Sequence, residues 1–160
     1  MKELTFRSIG VIRTPFTQTE GMPIQPPGGR DVLGTIELDP ELVEGLADLN
    51  GFSHIILLYY FHQASDYSLS VIPFLDSRQR GLFSTFAPNR PNPIGLSIVK
   101  LEKIEDNILT ISGIDILDGT PLLDLKPFTP DFNPKEHVRT GWIKGKSDQA
   151  SSKKADRRFN

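Results

Sequence analysis

Ile94-Gly95-Leu96-Ser97-Ile98-Val99-Lys100-Leu101-Glu102-Lys103-Ile104-Glu105-Asp106-Asn107-Ile108-Leu109-Thr110-Ile111-Ser112-Gly113-Ile114-Asp115-Ile116 decides the fold class. Two runs rich in Ile, Leu and Val flank Glu105-Asp106-Asn107, which predicts a β-hairpin with strands Ile94–Ile104 and Asn107–Ile116. Upstream, Ser53–His62 is rich in Ile, Leu, Tyr and Phe and apolar on both faces. It predicts a buried central strand with His54, Ile56, Leu58, Tyr60 and His62 sharing one face. Further strands are predicted over Thr5–Arg13, Leu33–Leu38, Leu69–Phe74 and Leu82–Phe86, and after the Asp118-Gly119 turn. Gly21–Gly29, with Pro23, Pro26 and Pro27, reads as an irregular loop. Asp39-Pro40-Glu41 combines an N-cap, a proline at the first helical position and an acidic first turn, opening one short helix through about Leu49. The expected fold is mostly β: an antiparallel barrel or sandwich with one short helix and long loops.

The chain of 160 residues suits a single domain, expected over residues 1–145, followed by a basic and disordered tail over 146–160. With no cysteine, disulfides, thiolate nucleophiles and cysteine-ligated metal are excluded, and a cytoplasmic location is expected. Lys2, Glu3 and Arg7 interrupt any signal-like apolar run, and the apolar run Ile55–Phe61 is too short to span a bilayer. The formal charge of −2 is unevenly placed. Residues 141–160 hold six Lys and Arg against two Asp, a net +4, which leaves −6 on residues 1–140. An acidic body argues against a broad nucleic-acid footprint, so any such contact must be local or assisted by the basic end.

Two segments carry more than connection. Phe83–Ser97 places Pro88, Pro91 and Pro93 around Arg90 and Asn92, and Asp118–Pro127 is likewise polar and proline-stiffened. Prolines fix φ and bias the preceding residue toward extended backbone, so side chains held there lose little further freedom on binding. Common nucleotide and hydrolase signatures are missing. No strand leads into Gly-x-Gly-x-x-Gly, Gly28-Gly29-Arg30 lacks the lysine and hydroxyl of a P-loop, and no Gly-x-Ser-x-Gly occurs. His54, His62 and His137 lack metal-ligand spacing, so no metal site is expected.

Five blocks in one order resemble the TsaA-like, or TrmO-type, family. They are Gly10–Phe16, Phe52-Ser53-His54, Phe61-His62-Gln63, Arg90–Ser97, and Asp115–Pro121 followed by Asp124–Pro127. The resemblance runs from about Thr5 to Pro130. It implies a small antiparallel β-barrel, working as a homodimer, that methylates N6 of threonylcarbamoyl-adenosine 37 in threonine tRNA with S-adenosyl-L-methionine. Matched positions imply cofactor contacts at Pro23, Ile24 and Gln25, at His62 and Gln63, at Leu96, and at Leu117, Asp118, Gly119 and Thr120. The sequence departs from the family at Phe86, where an arginine among the cofactor contacts is usual. A phenyl face attracts a sulfonium by cation–π contact but cannot pair with a carboxylate.

Within that reading, methyl transfer needs in-line positioning and a proton acceptor for the N6–H. Asp118 is the expected base, with Asn92 and Lys126 as further catalytic candidates: Asn92 to hydrogen-bond a base edge or the cofactor's polar end, Lys126 to orient the acid or bind substrate. Arg90 is the expected substrate clamp, for a phosphate or a free carboxylate. Each has a plainer role open to it: hairpin chemistry for Asp118, a tie to neighbouring carbonyls for Arg90, and an exposed charge for Lys126. Two other activities stay open on the residues alone, a small-metabolite methyltransferase and a non-catalytic S-adenosylmethionine-binding module.

Overall fold

The computed structural model describes residues 2–134 and 136–159. Its strands are β1 (Gly10–Arg13), β2 (Leu33–Leu38), β3 (His54–Tyr60), β4 (Ser70–Val71), β5 (Arg80–Gly81), β6 (Ile94–Glu105), β7 (Ile108–Ser112) and β8 (Thr120–Pro127). Six of them close a barrel in the order β1-β2-β7-β6-β3-β8, and every neighbouring pair is antiparallel. Closure leaves no free edge within the barrel. Its interior is apolar, with Ile12, Ile36, Ile55, Leu57, Leu109, Ile111 and Leu122 fully buried.

The β6–β7 hairpin forms where the sequence predicts it, with Asp106 in the left-handed region at φ 52°. Its second strand stops at Ser112 instead of running to Ile116. Gly113, at φ +76°, turns the chain out of the ladder, while Ile114 and Ile116 remain buried. Asp115 therefore lies on a crossing segment, not on a strand. The predicted strand Ser53–His62 forms over His54–Tyr60, and it is not buried on both faces. Ile55, Leu57 and Tyr59 point inward, whereas Tyr60 on the other face is 42% exposed.

Four other expectations change. Leu69–Phe74 contributes only the two-residue β4, and Leu82–Phe86 holds a 3-10 turn over Leu82–Ser84. There the Thr85 hydroxyl donates to Leu82 O at 2.8 Å, a local bond that competes with strand pairing. The first strand shortens to Gly10–Arg13, and the Ser8 hydroxyl upstream of it donates to the Gly10 carbonyl. The helix after Asp39 forms as 3-10 turns over Pro40–Leu46 and Leu49–Gly51. Leu46 closes the first turn and Leu49 opens the second, and both are buried. The Asp39 carboxylate accepts the Glu41 N–H at 3.1 Å, as the N-cap reading requires.

Tyr59 on β3 stands opposite Gly95 on β6. A Cβ at Gly95 would meet the Tyr59 ring at 2.2 Å, so the ring lies directly over the glycine backbone, edge-on to Phe61 at 5.3 Å. The missing side chain makes room for the aromatic one, as in glycine–aromatic pairs of curved sheets. Gly95→Ala must displace the ring, so it is expected to cost about 1–3 kcal/mol. Urea unfolding checks this: the midpoint should fall with an unchanged m value.

Candidate functional site

The two stiffened connectors meet at one end of the barrel, where a cavity of about 590 Å3 opens. Gly95 and Leu96 leave the proline block along one wall, and Leu117 and Thr120 flank the Asp118-Gly119 turn on another. Pro23, Ile24 and Gln25 come in from the irregular loop, and His62 and Gln63 from the end of β3. Phe86 and Arg90 also line it. His62 Nδ1 lies 3.3 Å from the Thr120 hydroxyl, which itself donates to Leu117 O at 2.7 Å. This bond ties the end of β3 to the turn before β8.

The other expected site residues sit elsewhere. Asp118 is absent from the cavity wall; its carboxylate accepts the Thr14 N–H at 3.0 Å, and its own N–H donates to Phe16 O. It closes the end of β1, and Gly119, at φ +74°, donates its N–H to Ile12 O. These bonds are the hairpin chemistry open to Asp118, and its carboxylate faces Thr14 and not the cavity wall. Lys126 is exposed near the far end of β8, ion-paired to Asp124 at 2.7 Å. At about 3.3 Å per residue it lies roughly 20 Å along the strand from Thr120, beyond reach of the cavity. Asn92 is exposed and off the cavity wall. Arg90 reaches the wall, but its Nη1 donates to Thr85 O at 3.0 Å and Ala87 O at 3.1 Å, and its guanidinium lies 5.9 Å from the Phe83 ring centre. It ties the proline block together. Phe86 is 73% exposed and presents an open aromatic surface.

Sequence reasoning passed over Asp115. The Ser97 hydroxyl donates to Asp115 Oδ1 at 2.7 Å and stands 3.0 Å from the Tyr59 hydroxyl. Ser97 gives its single proton to the carboxylate, so the bond between the two hydroxyls must be donated by Tyr59. The residue is half-buried overall, yet its carboxyl is desolvated, which pushes it up from 3.8 to about 6 despite the Ser97 bond. Burial, then the charge of Asp115, hold the Tyr59 phenol far above its ordinary value, so it stays a donor. One signal was visible: Ser97 and Asp115 are polar residues amid apolar runs that were assigned to strands.

In place of the disordered tail expected from composition, residues 146–159 pack against the same end. Gly21 N–H donates to Ala155 O and Ala155 N–H to Met22 O, each at 2.9 Å. The Phe159 ring meets Phe74 edge-on at 5.1 Å, and Ile143, Ala155 and Phe159 line the cavity. Scattered apolar residues too sparse to show periodicity are enough, because each enters a preformed apolar seat. Asp76 anchors the segment: Arg80 at 2.7 Å and Lys146 at 3.1 Å pair with it, and both cations lie against the Trp142 ring. Bonds first from Arg80 and then from Lys146 hold the Asp76 carboxyl well below the usual carboxylate range. A depressed carboxylate stabilises the fold above its unfolded pKa of about 4, and that contribution is lost as pH falls further. Asp76→Asn should therefore speed hydrogen exchange across residues 146–159 at pH 7. The gap from wild type should narrow steadily below about pH 4.

Among the described residues, no helix is long and apolar enough to cross a membrane, and no three His, Asp or Glu side chains are grouped to hold a metal ion. A family model described as the tRNA-methyltransferase O N-terminal domain matches residues 11–134. A Pyrococcus abyssi protein named "Probable S-adenosyl-L-methionine-binding protein" is 46% identical over 156 residues, covering 98% of this chain and 85% of its own. The tRNA (adenine(37)-N6)-methyltransferase of Mus musculus is 34% identical over 137 residues, covering 81% of this chain and 32% of that protein. The crystal structure of TrmO from Pseudomonas aeruginosa superposes with a TM-score of 0.74 at 40% identity, covering 88% of this chain and 63% of that one. The chain thus spans less than two thirds of the solved TrmO chain and about a third of the mouse protein.

Proposed function

The chain belongs to the family of the tRNA-methyltransferase O N-terminal domain, and on that basis we propose that it is an S-adenosylmethionine-dependent methyltransferase of N6 of adenosine 37 in tRNA. The observation that carries this reading is the meeting of both stiffened connectors at one cavity of about 590 Å3. That volume falls in the usual range for cofactor pockets, roughly 300–1,000 Å3. Its chemistry fits the cofactor too. Apolar and aromatic walls suit a nucleoside, and the His62–Thr120 pair offers polar contacts. Pro23–Gln25, His62, Gln63, Leu96, Leu117 and Thr120 would hold the cofactor, which supplies an electrophilic methyl group on a sulfonium. Phe86 would offer its face at the opening, where a guanidinium is usual in the family.

The protein's share of the work is positioning and exclusion of water. Proline-fixed φ angles and the Arg90 ties keep the wall from adjusting when ligand enters, so little ordering cost falls on binding. The threonylcarbamoyl form of the base in threonine tRNA is the proposed substrate, and the cytoplasm the proposed location. A homodimer is proposed as well, supported by the outward face of β3 and β6, where Tyr60, Ile94, Leu96 and Ile98 are 37–61% exposed.

Purified protein, S-adenosylmethionine and tRNA lacking the modification test the activity. Nucleoside mass spectrometry should show threonylcarbamoyl-adenosine gaining one methyl group. Cofactor binding without any tRNA product would point instead to a small-metabolite methyltransferase or a binding module. The basic end supports the tRNA reading, since Lys144, Lys153 and Lys154 are exposed beside residues that line the cavity. Replacing these three lysines with serine should weaken tRNA binding and flatten its log–log salt dependence by about 2, with cofactor affinity unchanged.

A further inference from the structure

Resting on the methyltransferase reading, we propose that Asp115 is the proton acceptor of the methyl transfer, and that Ser97 and Tyr59 are the residues that position it. Asp115 is on the cavity wall, with Oδ1 fixed by the Ser97 hydroxyl at 2.7 Å and Ser97 in turn oriented by Tyr59 at 3.0 Å. The chain of donors runs one way, from phenol to hydroxyl to carboxylate. An ionised carboxylate has two oxygens and about four acceptor positions, so the Ser97 bond leaves capacity for one more proton donor.

The three members come from different parts of the barrel: Tyr59 from β3, Ser97 from β6, Asp115 from the crossing segment after Gly113. Gly95 sets the ring that begins the chain, because no other residue leaves room for Tyr59 above β6. The other titratable side chains on the cavity wall are His62, Arg90 and Asp156. His62 contacts Thr120, and Arg90 is tied to two carbonyls. Asp156 bonds Arg158 through both carboxylate oxygens, at 2.8 and 2.6 Å.

An exocyclic N6 conjugated to a ring and a carbamoyl group is a poor nucleophile until its proton leaves. As the N6–CH3 bond forms, the pair of the breaking S–CH3 bond stays on sulfur and the N6 proton passes to Asp115. Charge is conserved: the sulfonium and the carboxylate become a neutral thioether and a neutral acid. The dry wall that penalises the ionised carboxylate favours its protonated product. A folded-state value of about 6 leaves the group mostly ionised at neutral pH while keeping it more basic than an exposed aspartate.

Three measurements on the intact protein decide the matter. In Asp115→Asn, single-turnover methylation of tRNA should fall by about 10²–10⁴-fold, while the Kd for S-adenosylmethionine by calorimetry moves less than tenfold. In wild type, the rate should rise with unit slope through about pH 6, and Ser97→Ala, which removes a bond that favours the charged form, should move that inflection upward. In cofactor-free protein, 13C NMR should find one carboxyl titrating near pH 6 that vanishes in Asp115→Asn. The proposal is overturned if Asp115→Asn methylates at the wild-type rate, or if its whole loss appears in cofactor Kd. It is equally overturned if the inflection stays put in Ser97→Ala. Wild type that binds cofactor yet methylates no tRNA would overturn the activity itself, and this assignment with it.

Discussion

The contact between the Tyr59 ring and the bare backbone of Gly95 organises the working end of this barrel. A pleated pair of strands normally fills opposed inward positions with two side chains, and here one residue supplies the whole volume. The phenol is thereby held over β6, where its hydroxyl meets Ser97, two residues along the same strand face. Two features of the cavity follow from that placement: the orientation of Ser97 and the bond it gives Asp115. Gly95 is thus both the end of the stiff connector and the reason the first inward aromatic fits.

The architecture was legible because its signals are local. An apolar hairpin, an Asp-Pro-Glu start and proline punctuation each act over a few residues, and β2, β6 and the Asp39 cap formed where the sequence places them. The convergence of the two connectors on one cavity was implied by the family resemblance, not by their stiffness. What stayed hidden needed tertiary knowledge. Asp118 reads as a base or as a turn residue, and what favours the turn, its bond from the Thr14 N–H and its place off the cavity wall, is visible only in three dimensions. Lys126 belongs to a block whose neighbours reach the site, but strand rise carries it out of range. Asp115 was hidden because Gly113 breaks β7 early, so a residue assigned to alternating strand pattern is in fact aimed across the barrel end.

The C-terminal stretch shows how composition misleads. Residues 146–159 are polar and aperiodic, which ordinarily means disorder. Their few apolar members, Ala150, Ala155 and Phe159, nonetheless find seats on the loop bearing Pro23 and against Phe74, and Arg158 donates to Pro73 O at 2.8 Å. A segment that cannot form a core of its own completes one already present. The same stretch brings its positive charge to the edge of the cavity, whereas the barrel carries the net negative charge.

The desolvated carboxylate in the barrel wall has a consequence for evolution of this chain under heat. An acid whose folded value is about 6, against 3.8 when exposed, holds its proton more tightly in the folded state, so stability falls as pH rises from about 4 through about 6. At neutral pH that burden is on the order of 3 kcal/mol, a sizeable share of the 5–15 kcal/mol that holds a typical domain together. Selection for thermal endurance alone would drift toward neutral residues at position 115 and yield tougher barrels with a silent cavity. Retaining the acid during any such screen requires that survival be scored on the chemistry as well as on the melt.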